Sequence, residues 1–465
     1  MYKWKGRLTI HGGKQEWGVN YWETYSPIVN WSTIRLFFAI ALMSGWYTRQ
    51  LDFVLAYPQA DVECDLYMEI PQGFDIDGDS KNYALQLIKN IYGQKQAGRV
   101  WNQHLTKRLL SLGFQQSSID ECLFFKGSSV VLVYVDDTLI MGPSQAEIQD
   151  MVDLLAENFD IEDQGDVSDY LGVQVKHRED GSIEMTQQHL IQQVLHDLGM
   201  QENSKEFATP ARLDQVLHAD VNGKPFDENW HYRSVIGKLN FLEKSTRPDI
   251  SYAVHQCARF CENPRKSHGE AIKQIARYLK ATLGQGMIFR PIKHSFDCWV
   301  DASFSGEWHK PTAGDSVVTA KSRTGYVLMY AGCPLTWSSK LQTEIALSST
   351  EAEYIAMSQA LREVIPLMHI LHEAVEHGVL QGMQRPRIHC KVFEDNSGAL
   401  ELAKVPKMRP RTKHINIKYH HFREYVRLGL VSVHPVMSAD QIADIFTKSL
   451  PTELHQKLRR LIVGW

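Results

Sequence analysis

Two adjacent carboxylates, Asp136 and Asp137, lie between apolar, β-branched runs in the segment SVVLVYVDDTLIMG. This pattern predicts a β-hairpin with the acidic pair at its tip. Two negative charges at such close range raise each other's pKa. A Mg²⁺ ion removes that conflict, because it prefers carboxylate and phosphate oxygens as ligands. The pair therefore indicates a magnesium site, with a solvated Asp–Asp turn as the alternative interpretation.

Four more acids are spaced through the last third of the chain. Asp301 ends FDCWVD, Glu353 lies in SSTEAEYIAMSQALREV, Asp395 ends KVFED, and Asp444 is predicted to open the last helix in SADQIADIFTK. A single acid at a helix start is common, since it interacts favourably with the helix dipole. A set of four in this strand–helix order instead indicates carboxylates converging on one sheet edge, as two-metal phosphodiester hydrolysis requires.

Glu351 and Glu353 compete for one position in this second set. Ser348 and Glu351 have the Ser-x-x-Glu spacing of a capping box, which predicts that Glu351 closes the helix start. Apolar residues then recur on one helical face, at Tyr354, Met357, Leu361, Val364, Met368, Leu371 and Val375. At about 100° per residue, Glu353 borders this face and Glu351 points away from it. We therefore expect Glu353 to be the metal ligand, and Pro366 to kink or break the helix.

The elements that position these acids follow from periodicity and turn residues. Helices are predicted over 33–45 and 99–114, each closed by a glycine, and a second hairpin over 172–187. A helix ending at Gly199, a polar loop and an interrupted helical region over 232–281 follow. Beyond a boundary near Pro291, three strands, a long helix, a strand, a helix, a strand and a final helix predict a mixed α/β layer domain.

Composition and charge bound the class of protein. The 465 residues suggest about three domains, and 43% hydrophobic with 22% charged residues is an ordinary globular composition. No apolar run reaches the roughly 20 residues of a membrane span, no secretory signal is recognisable, and seven irregularly spaced cysteines favour a reducing compartment. The net charge of −4 does not indicate nucleic-acid binding. The basic run over 404–427 is either a solvated surface or one that follows phosphates.

Asp52 links the hairpin acids to a known family. It begins the apolar run LDFVLAYPQA, and alone it is interpreted as a strand-edge residue or helix cap. With the hairpin acids it resembles the palm of reverse transcriptases, in which an Asp-containing strand lies beside a Tyr-x-Asp-Asp hairpin. The segments KGRL, LYMEIPQGF, IYGQKQAGRVW, TRPDISYAV and RTKHINIKYHHF resemble further blocks of copia-type LTR retrotransposon polyproteins, in the expected order. Gln94 and Gly98 replace the usual Leu and Pro.

The resemblance implies roles for residues of the polymerase site. Asp52, Asp136 and Asp137 would hold two Mg²⁺ ions, with Mn²⁺ as a substitute, about 3.5–4 Å apart. Further residues are expected to contact the nucleotide or the primer. Tyr57 would lie beneath the incoming sugar and exclude a 2′-hydroxyl, Gln96 would contact the nucleotide, Lys5 and Arg7 its phosphates, and Tyr170, Leu171 and Gly172 would position the primer. Gln96 and Arg7 could equally be solvated polar residues.

The later acids resemble those of ribonuclease H, and SSTEAEY with ADIFTK resembles the copia version. Asp301, Glu353, Asp395 and Asp444 would then hold two metal ions that activate water against the RNA strand of a hybrid. Ala302, Ser303 and Phe304 depart from the Ala-Asp-Trp that normally follows the first acid. His434, on a short connection, is assigned no catalytic role.

The predicted architecture is an α+β and α/β multidomain chain. It consists of reverse transcriptase fingers and palm (1–175), thumb and connection (176–290) and a ribonuclease H-like domain (291–465). The resemblance implies an intracellular enzyme, in cytoplasmic virus-like particles and the nucleus. Its expected partners are an RNA template, a DNA primer, RNA–DNA hybrid and dNTPs, with self-association and without a membrane.

Two rival interpretations stay open. A truncated, catalytically silent retroelement remnant is suggested by the abrupt start at KGRL, which leaves little room for finger strands, and by the missing integrase, protease and capsid regions. All seven expected acids are present, which favours activity. An intron maturase would lack the four later acids.

Overall fold

A computed structural model describes residues 8–74, 76–200, 203–213, 216–308, 317–380, 388–404 and 417–465. By packing, the chain separates into two compact units. The first comprises Met1–Asn30, Ser44–Val167 and Glu373–Gly382, and the second comprises Trp31–Met43, Ser168–His372 and Met383–Trp465. The division into three domains stays a prediction.

The elements of the first part of the chain follow the expected order. They are α1 (Trp31–Ser44), β1 (Tyr47–Phe53), β2 (Asp61–Glu69), β3 (Ala84–Lys89), α2 (Ala97–Ser111), β4 (Gln115–Gln116), β5 (Leu123–Lys126), β6 (Ser129–Tyr134), β7 (Asp137–Gly142), α3 (Gln145–Ala156) and β8 (Ile161–Gly165). The predicted helices over 33–45 and 99–114 are confirmed as α1 and α2. Gly45 and Gly113, which follow them closely, have φ angles of +63° and +83°, a left-handed conformation that glycine adopts without steric cost.

One antiparallel sheet organises the first unit, in the order β4-β5-β6-β7-β1-β8. Apolar side chains of β1, β6 and β7 form its core with α2 and α3. Because β1 lies between β7 and β8, it is an inner strand. Strands β2 and β3 form a separate two-stranded sheet.

The next segments contain a small sheet and a group of helices. They are β9 (Asp169–Tyr170), β10 (Val173–His177), β11 (Ile183–Thr186), α4 (Gln188–Asp197), α5 (Tyr232–Ser245), α6 (Ser251–Ala258), α7 (Lys266–Ala281) and β12 (Met287–Phe289). The predicted hairpin is β10–β11. Helices α4 to α7 bury a common apolar core.

The last segments form the predicted mixed α/β layer. They are β13 (Phe296–Ser303), β14 (Arg323–Tyr330), β15 (Cys333–Leu341), α8 (Ser349–Glu376), β16 (Cys390–Glu394), α9 (Ser397–Lys404), α10 (Arg423–Arg427), β17 (Val431–Pro435) and α11 (Thr452–Val463). The sheet order is β15-β14-β13-β16-β17, with β16 parallel to both β13 and β17.

Two local predictions need correction. Of the kink or break predicted at Pro366, the break is wrong, because α8 continues over 28 residues and the neighbours Ile365 and Leu367 are buried. A kink at Pro366 stays a prediction. Asp444 does not open the last helix. It lies in a separate 3₁₀ turn, Ile442–Phe446, because a residue before proline avoids helical angles and Pro451 immediately precedes α11.

A buried arginine fixes α1 within the second unit. The Arg35 guanidinium donates to the carbonyls of Lys244, Ser245 and Leu335 at 2.6–2.8 Å. It lies 4.4 Å from the centre of the Trp337 ring. Burial lowers the pKa of Arg35 to about 9, and the three carbonyls supply the hydrogen bonds that a buried charge requires.

A membrane-spanning helix is not found in the described ranges, where every helix is too short or too polar.

Candidate active sites

A strained turn presents the first acidic pair. Val135 has a φ of +59°, a conformation that costs a β-branched residue about 1–3 kcal/mol. The turn is held from both sides: the Trp101 indole donates to the Val135 carbonyl at 2.7 Å, and the Phe53 amide donates to the Asp136 carbonyl at 3.0 Å. Surrounding structure therefore fixes the backbone that carries Asp136 and Asp137.

Asp52 lies beside this turn, as the family resemblance implied. In the antiparallel pair β1–β7, Asp52 is directly opposite Asp137. Directly opposed side chains leave the same face of a sheet with Cβ atoms about 4.5–5.5 Å apart. Asp52, Asp136 and Asp137 are all half-buried. The first unit thus places Asp52 opposite Asp137, with Asp136 adjacent in the turn, although oxygens of the three carboxylates do not all lie within 4.8 Å of one another.

Tyr57 lies near these acids. Burial raises the pKa of Tyr57, and the negative charges of Asp136 and Tyr92 raise it further. Its hydroxyl is 3.7 Å from the position that a Cβ on Gly98 would occupy. Gln96 is only 4% exposed and accepts a hydrogen bond from Gln15 at 3.0 Å. The sugar and nucleotide contacts stay predictions, and Lys5 and Arg7 lie outside the described residues.

The expected primer-positioning segment is a tight turn. Tyr170 pairs with Val173, and the two residues between them, Leu171 and Gly172, have φ angles of +52° and +73°. Two positive φ angles are typical of a type I′ hairpin. Its role with a primer stays a prediction.

The second set of acids converges in the second unit. One carboxylate oxygen each from Asp301, Glu353 and Asp395 lies within 4.8 Å of the others, and within the described ranges no other trio of His, Cys, Asp or Glu does so. Asp301 and Glu353 are each 6% exposed. Trp299 pairs with Phe393 between parallel strands β13 and β16. Asp301 and Asp395 follow two residues later and so share one face.

Glu351 and Glu353 have the different roles that the capping pattern and the helical periodicity predicted. Ser348 Oγ accepts a hydrogen bond from the Glu351 amide at 3.2 Å. The Glu351 carboxylate accepts one from the Leu347 amide at 2.8 Å. Glu351 therefore caps α8, while Glu353 joins the acid group.

Asp444 reaches the same centre from its 3₁₀ turn. Gln441 fixes that turn by donating to the Val300 carbonyl on β13 at 2.8 Å. Burial and the charge of Asp301 raise the pKa of Asp444 to about 6. Lys448 forms a 2.9 Å ion pair with Asp444, and the Thr447 hydroxyl donates to Asp301. All four predicted acids are thus neighbours.

Gly325 is a positioning residue that the sequence analysis missed. It pairs with Asp301 across β13–β14. A Cβ there would lie 2.5 Å from Thr447 Cγ2 and 2.9 Å from Phe446 Cβ. Only glycine lets the turn that carries Asp444 approach the sheet this closely, and a glycine within a strand is the signal that could have indicated it.

Replacing Gly325 with alanine should displace the Asp444 turn and slow hybrid cleavage by roughly 10²-fold, since an ångström-scale misplacement can have that effect. Cleavage of a labelled RNA–DNA hybrid measures the change. Gly284→Ala, where a Cβ meets nothing within 4 Å, is the control. Equal cleavage by both variants would show that this close approach does not position Asp444.

Glu394 is a second residue near the acid group that the sequence pattern did not identify. It ends β16, is fully buried, and its Oε2 atom lacks a hydrogen-bond partner, as does Oε2 of Glu353. Cys390 and Val392 are buried on the same strand face, so alternation could have identified it. Burial and neighbouring carboxylates raise the pKa of Glu353, and burial with the charges of Asp395 and Asp301 raises the pKa of Glu394 to about 8.

The centre fits a hard divalent cation. All its donors are carboxylate oxygens, two of them buried and unpartnered, and Mg²⁺ prefers such ligands. Burial raises the pKa of Asp301 as well. A bound cation would relieve the crowding of these like charges.

Without divalent ions, the free energy of unfolding should fall as pH rises from about 4 towards 8. The raised pKa values of Asp444 and Glu394 mean that the folded state keeps protons that the unfolded state releases. Their stabilising contribution is complete below about pH 4 and is lost through that window. Mg²⁺ favours the ionised carboxylates, so its stabilising effect should grow with pH.

Thermal unfolding in EDTA and in Mg²⁺, at about pH 5 and about pH 8, measures this dependence. Glu394→Gln should flatten the slope in EDTA. An unfolding temperature that does not depend on pH in EDTA would contradict the assignment of these acids as a buried, crowded group.

Comparison with known proteins identifies the family. Residues 1–212 match the family "Reverse transcriptase (RNA-dependent DNA polymerase)". A putative transposon Ty5-1 protein of Saccharomyces cerevisiae is 30% identical over 320 residues, which are 68% of this chain and 100% of that protein. The chain belongs to the reverse transcriptase family of copia-type retrotransposon Pol polyproteins.

Two plant relatives extend the match over nearly the whole chain. The retrovirus-related Pol polyprotein from transposon TNT 1-94 of Nicotiana tabacum is 32% identical, over 99% of this chain and 34% of the polyprotein. The retrovirus-related Pol polyprotein from transposon RE1 of Arabidopsis thaliana is 35% identical, over 97% of this chain and 30% of that polyprotein. The chain thus spans about a third of the length of these relatives.

Solved structures give weaker matches. A foamy viral protease–reverse transcriptase in complex with double-stranded DNA is 12% identical, over 87% of this chain and 57% of that one, with a TM-score of 0.43. The N-terminal ribonuclease H domain of a Mycobacterium tuberculosis protein, fused to maltose-binding protein, is 12% identical over 36% of this chain and 98% of that one, with a TM-score of 0.23. Both TM-scores are below 0.5, so these superpositions alone do not establish a shared fold.

Proposed function

We propose that this chain is an RNA-directed DNA polymerase that also cleaves the RNA strand of RNA–DNA hybrids, with two Mg²⁺ ions at each centre. The observation that carries the proposal is that carboxylates distant in sequence meet in each compact unit: Asp52 opposite Asp137, and Asp301 with Glu353 and Asp395. Such convergence is what two-metal phosphoryl transfer requires.

At the polymerase centre, the protein's task is to hold three carboxylates in a fixed arrangement. Asp52, Asp136 and Asp137 would be the metal ligands. Trp101 and Phe53 hold the turn through its two carbonyls, so no backbone reorganisation is needed during the reaction. Tyr57, whose raised pKa keeps the hydroxyl neutral, would place its ring under the sugar and exclude a 2′-hydroxyl.

At the nuclease centre, Asp301, Glu353, Asp395 and Asp444 would be the metal ligands. Thr447 and Lys448 orient Asp301 and Asp444 through a hydrogen bond and an ion pair. When bound, the ions at both centres would acidify the attacking oxygen and neutralise charge on the phosphate. The 2′-hydroxyls of the RNA strand and the A-form-like shape of the hybrid would direct cleavage to RNA.

The direct experiment follows both strands of one substrate. The full chain is given a DNA primer and an RNA template with different end labels, together with dNTPs and Mg²⁺. We expect the primer to lengthen, the template to shorten, and EDTA to stop both changes. A folded chain that binds the substrate and changes neither strand would refute the proposal and favour a silent remnant.

A further inference from the structure

A cavity of about 320 Å³ lies in the second unit, lined by residues of α7 and α11. Its lining includes Phe207, Tyr278, Arg459 and Trp465, with the amide side chain of Gln285. Neither set of predicted metal ligands contributes to it. A cavity of this size, with apolar walls and a few polar groups, is typical of sites for small organic groups.

Cations accompany both aromatic walls of the cavity. Lys205 and Arg277 lie over the Phe207 ring, at 5.3 and 5.5 Å from its centre. Arg459 lies 3.8 Å from the centre of the Trp465 ring. Within the part of the chain that the structure describes, Lys205 and Arg277 have no side-chain carboxylate within ion-pair distance, whereas Nε of Arg459 lies 3.3 Å from a main-chain oxygen of Trp465. The surroundings of the cavity therefore favour an anion.

The segment that carries Phe207 is fixed along α7. Lys280 donates to the Ser204 carbonyl and Gln274 to the Thr209 carbonyl, both at 2.8 Å. These contacts lie on either side of Phe207 in the segment. The first wall is therefore formed before any ligand binds, which lowers the entropic cost of binding.

The opposite wall is fixed as well. Arg459 donates to the Tyr278 hydroxyl and to a main-chain oxygen of Trp465, both at 3.3 Å. The Trp465 indole donates to the carbonyl of Gly286. The guanidinium of Arg459 is thus held over the indole with donors left for a ligand, since an arginine carries five N–H groups.

We propose that this cavity binds an unpaired nucleotide of a nucleic-acid strand. The base would pack against Phe207 and Trp465. The phosphates would meet Arg459, which lines the cavity, and then Lys205 and Arg277, which lie outside its lining beside the Phe207 ring. Proteins bind single-stranded nucleic acids with aromatic rings that stack on the bases and with nearby cations that contact the phosphates. The site goes beyond the proposed function, because neither reaction needs it.

Photocrosslinking with peptide mapping tests this site directly. The full chain in EDTA is irradiated with a single-stranded oligonucleotide that carries one 5-iodouridine, and the adducts are mapped. We expect adducts on Phe207 or Trp465. Arg459→Gln should reduce their yield roughly tenfold, as loss of a charge-assisted hydrogen bond does. Arg459→Lys should restore part of it.

Arg460→Gln is the matched control, because Arg460 is exposed and adjacent on α11 but does not line the cavity. It should keep the wild-type adducts. Adducts at other residues but none at Phe207 or Trp465 would overturn the proposal. An equal loss of adduct yield in Arg459→Gln and Arg460→Gln would overturn it as well. Competition by a free nucleoside monophosphate at equal nucleotide concentration would identify a free nucleotide as the ligand, whereas competition by oligonucleotide alone identifies a strand. The assay needs no catalysis, so its failure is distinguishable from failure of the proposed polymerase and nuclease.

Discussion

Replacing Glu353 with glutamine should abolish cleavage of the RNA strand in a hybrid and leave primer extension at its wild-type rate. Glutamine keeps the size of the side chain but removes one negative ligand from the group with Asp301 and Asp395. A metal's charge stabilisation of a transition state is worth several kcal/mol, so the rate should fall by roughly 10³-fold or more. Gel analysis of a labelled hybrid and of a primer measures the two rates.

Glu351→Gln is the matched control for this substitution, two residues earlier on α8. Glu351 caps the helix through the Leu347 amide, so its loss should cost stability of about 0.5–2 kcal/mol and leave cleavage largely intact. Glu353→Gln should instead stabilise the metal-free protein, because it removes an acid from a crowded, buried group. Cleavage by Glu353→Gln at the wild-type rate would refute the nuclease assignment.

Asp136→Asn should have the reciprocal effect, with primer extension reduced by roughly 10³-fold or more for the same electrostatic reason. The backbone of the turn should stay in place, because Trp101 and Phe53 hold its carbonyls and not the Asp136 side chain. Hybrid cleavage should therefore be unchanged. Incorporation of labelled dNTP on an RNA template is the measurement.

Asp150→Asn is the control for Asp136, since it removes the same charge from an exposed position on α3. It should extend the primer as the wild type does. Equal extension by the Asp136 and Asp150 variants would show that the hairpin acids are not metal ligands in a polymerase centre.

Features that depend on local pattern were predictable from the sequence. The β6–β7 hairpin followed from β-branched runs around an acidic pair, and α1 and α2 followed from periodicity with closing glycines. The distinction between Glu351 and Glu353 also followed from spacing alone, because capping and facial position are properties of one helix.

Features that depend on packing between distant segments were not predictable. To predict the short contact at Gly325, one must know that the Asp444 turn packs on β14. To predict the hydrogen bond from Trp101, one must know that α2 lies under the hairpin. The helix does not break at Pro366, because burial on both sides outweighs the helix-breaking tendency of proline. The cavity beside Arg459 combines α7, α11 and a loop that no common sequence pattern connects.

The central claim is that two separate sets of carboxylates each bind divalent cations. Cleavage of the backbone by bound Fe²⁺ in place of Mg²⁺, with ascorbate and peroxide, tests it without relying on activity, because radicals cut the chain near the ion. We predict cuts near Asp52 and Asp136–Asp137, and a second set near Asp301, Glu353, Asp395 and Asp444, all suppressed by excess Mg²⁺. Glu353→Gln should weaken only the second set. Cuts that avoid both sets, or that excess Mg²⁺ leaves unchanged, would contradict the two-centre account.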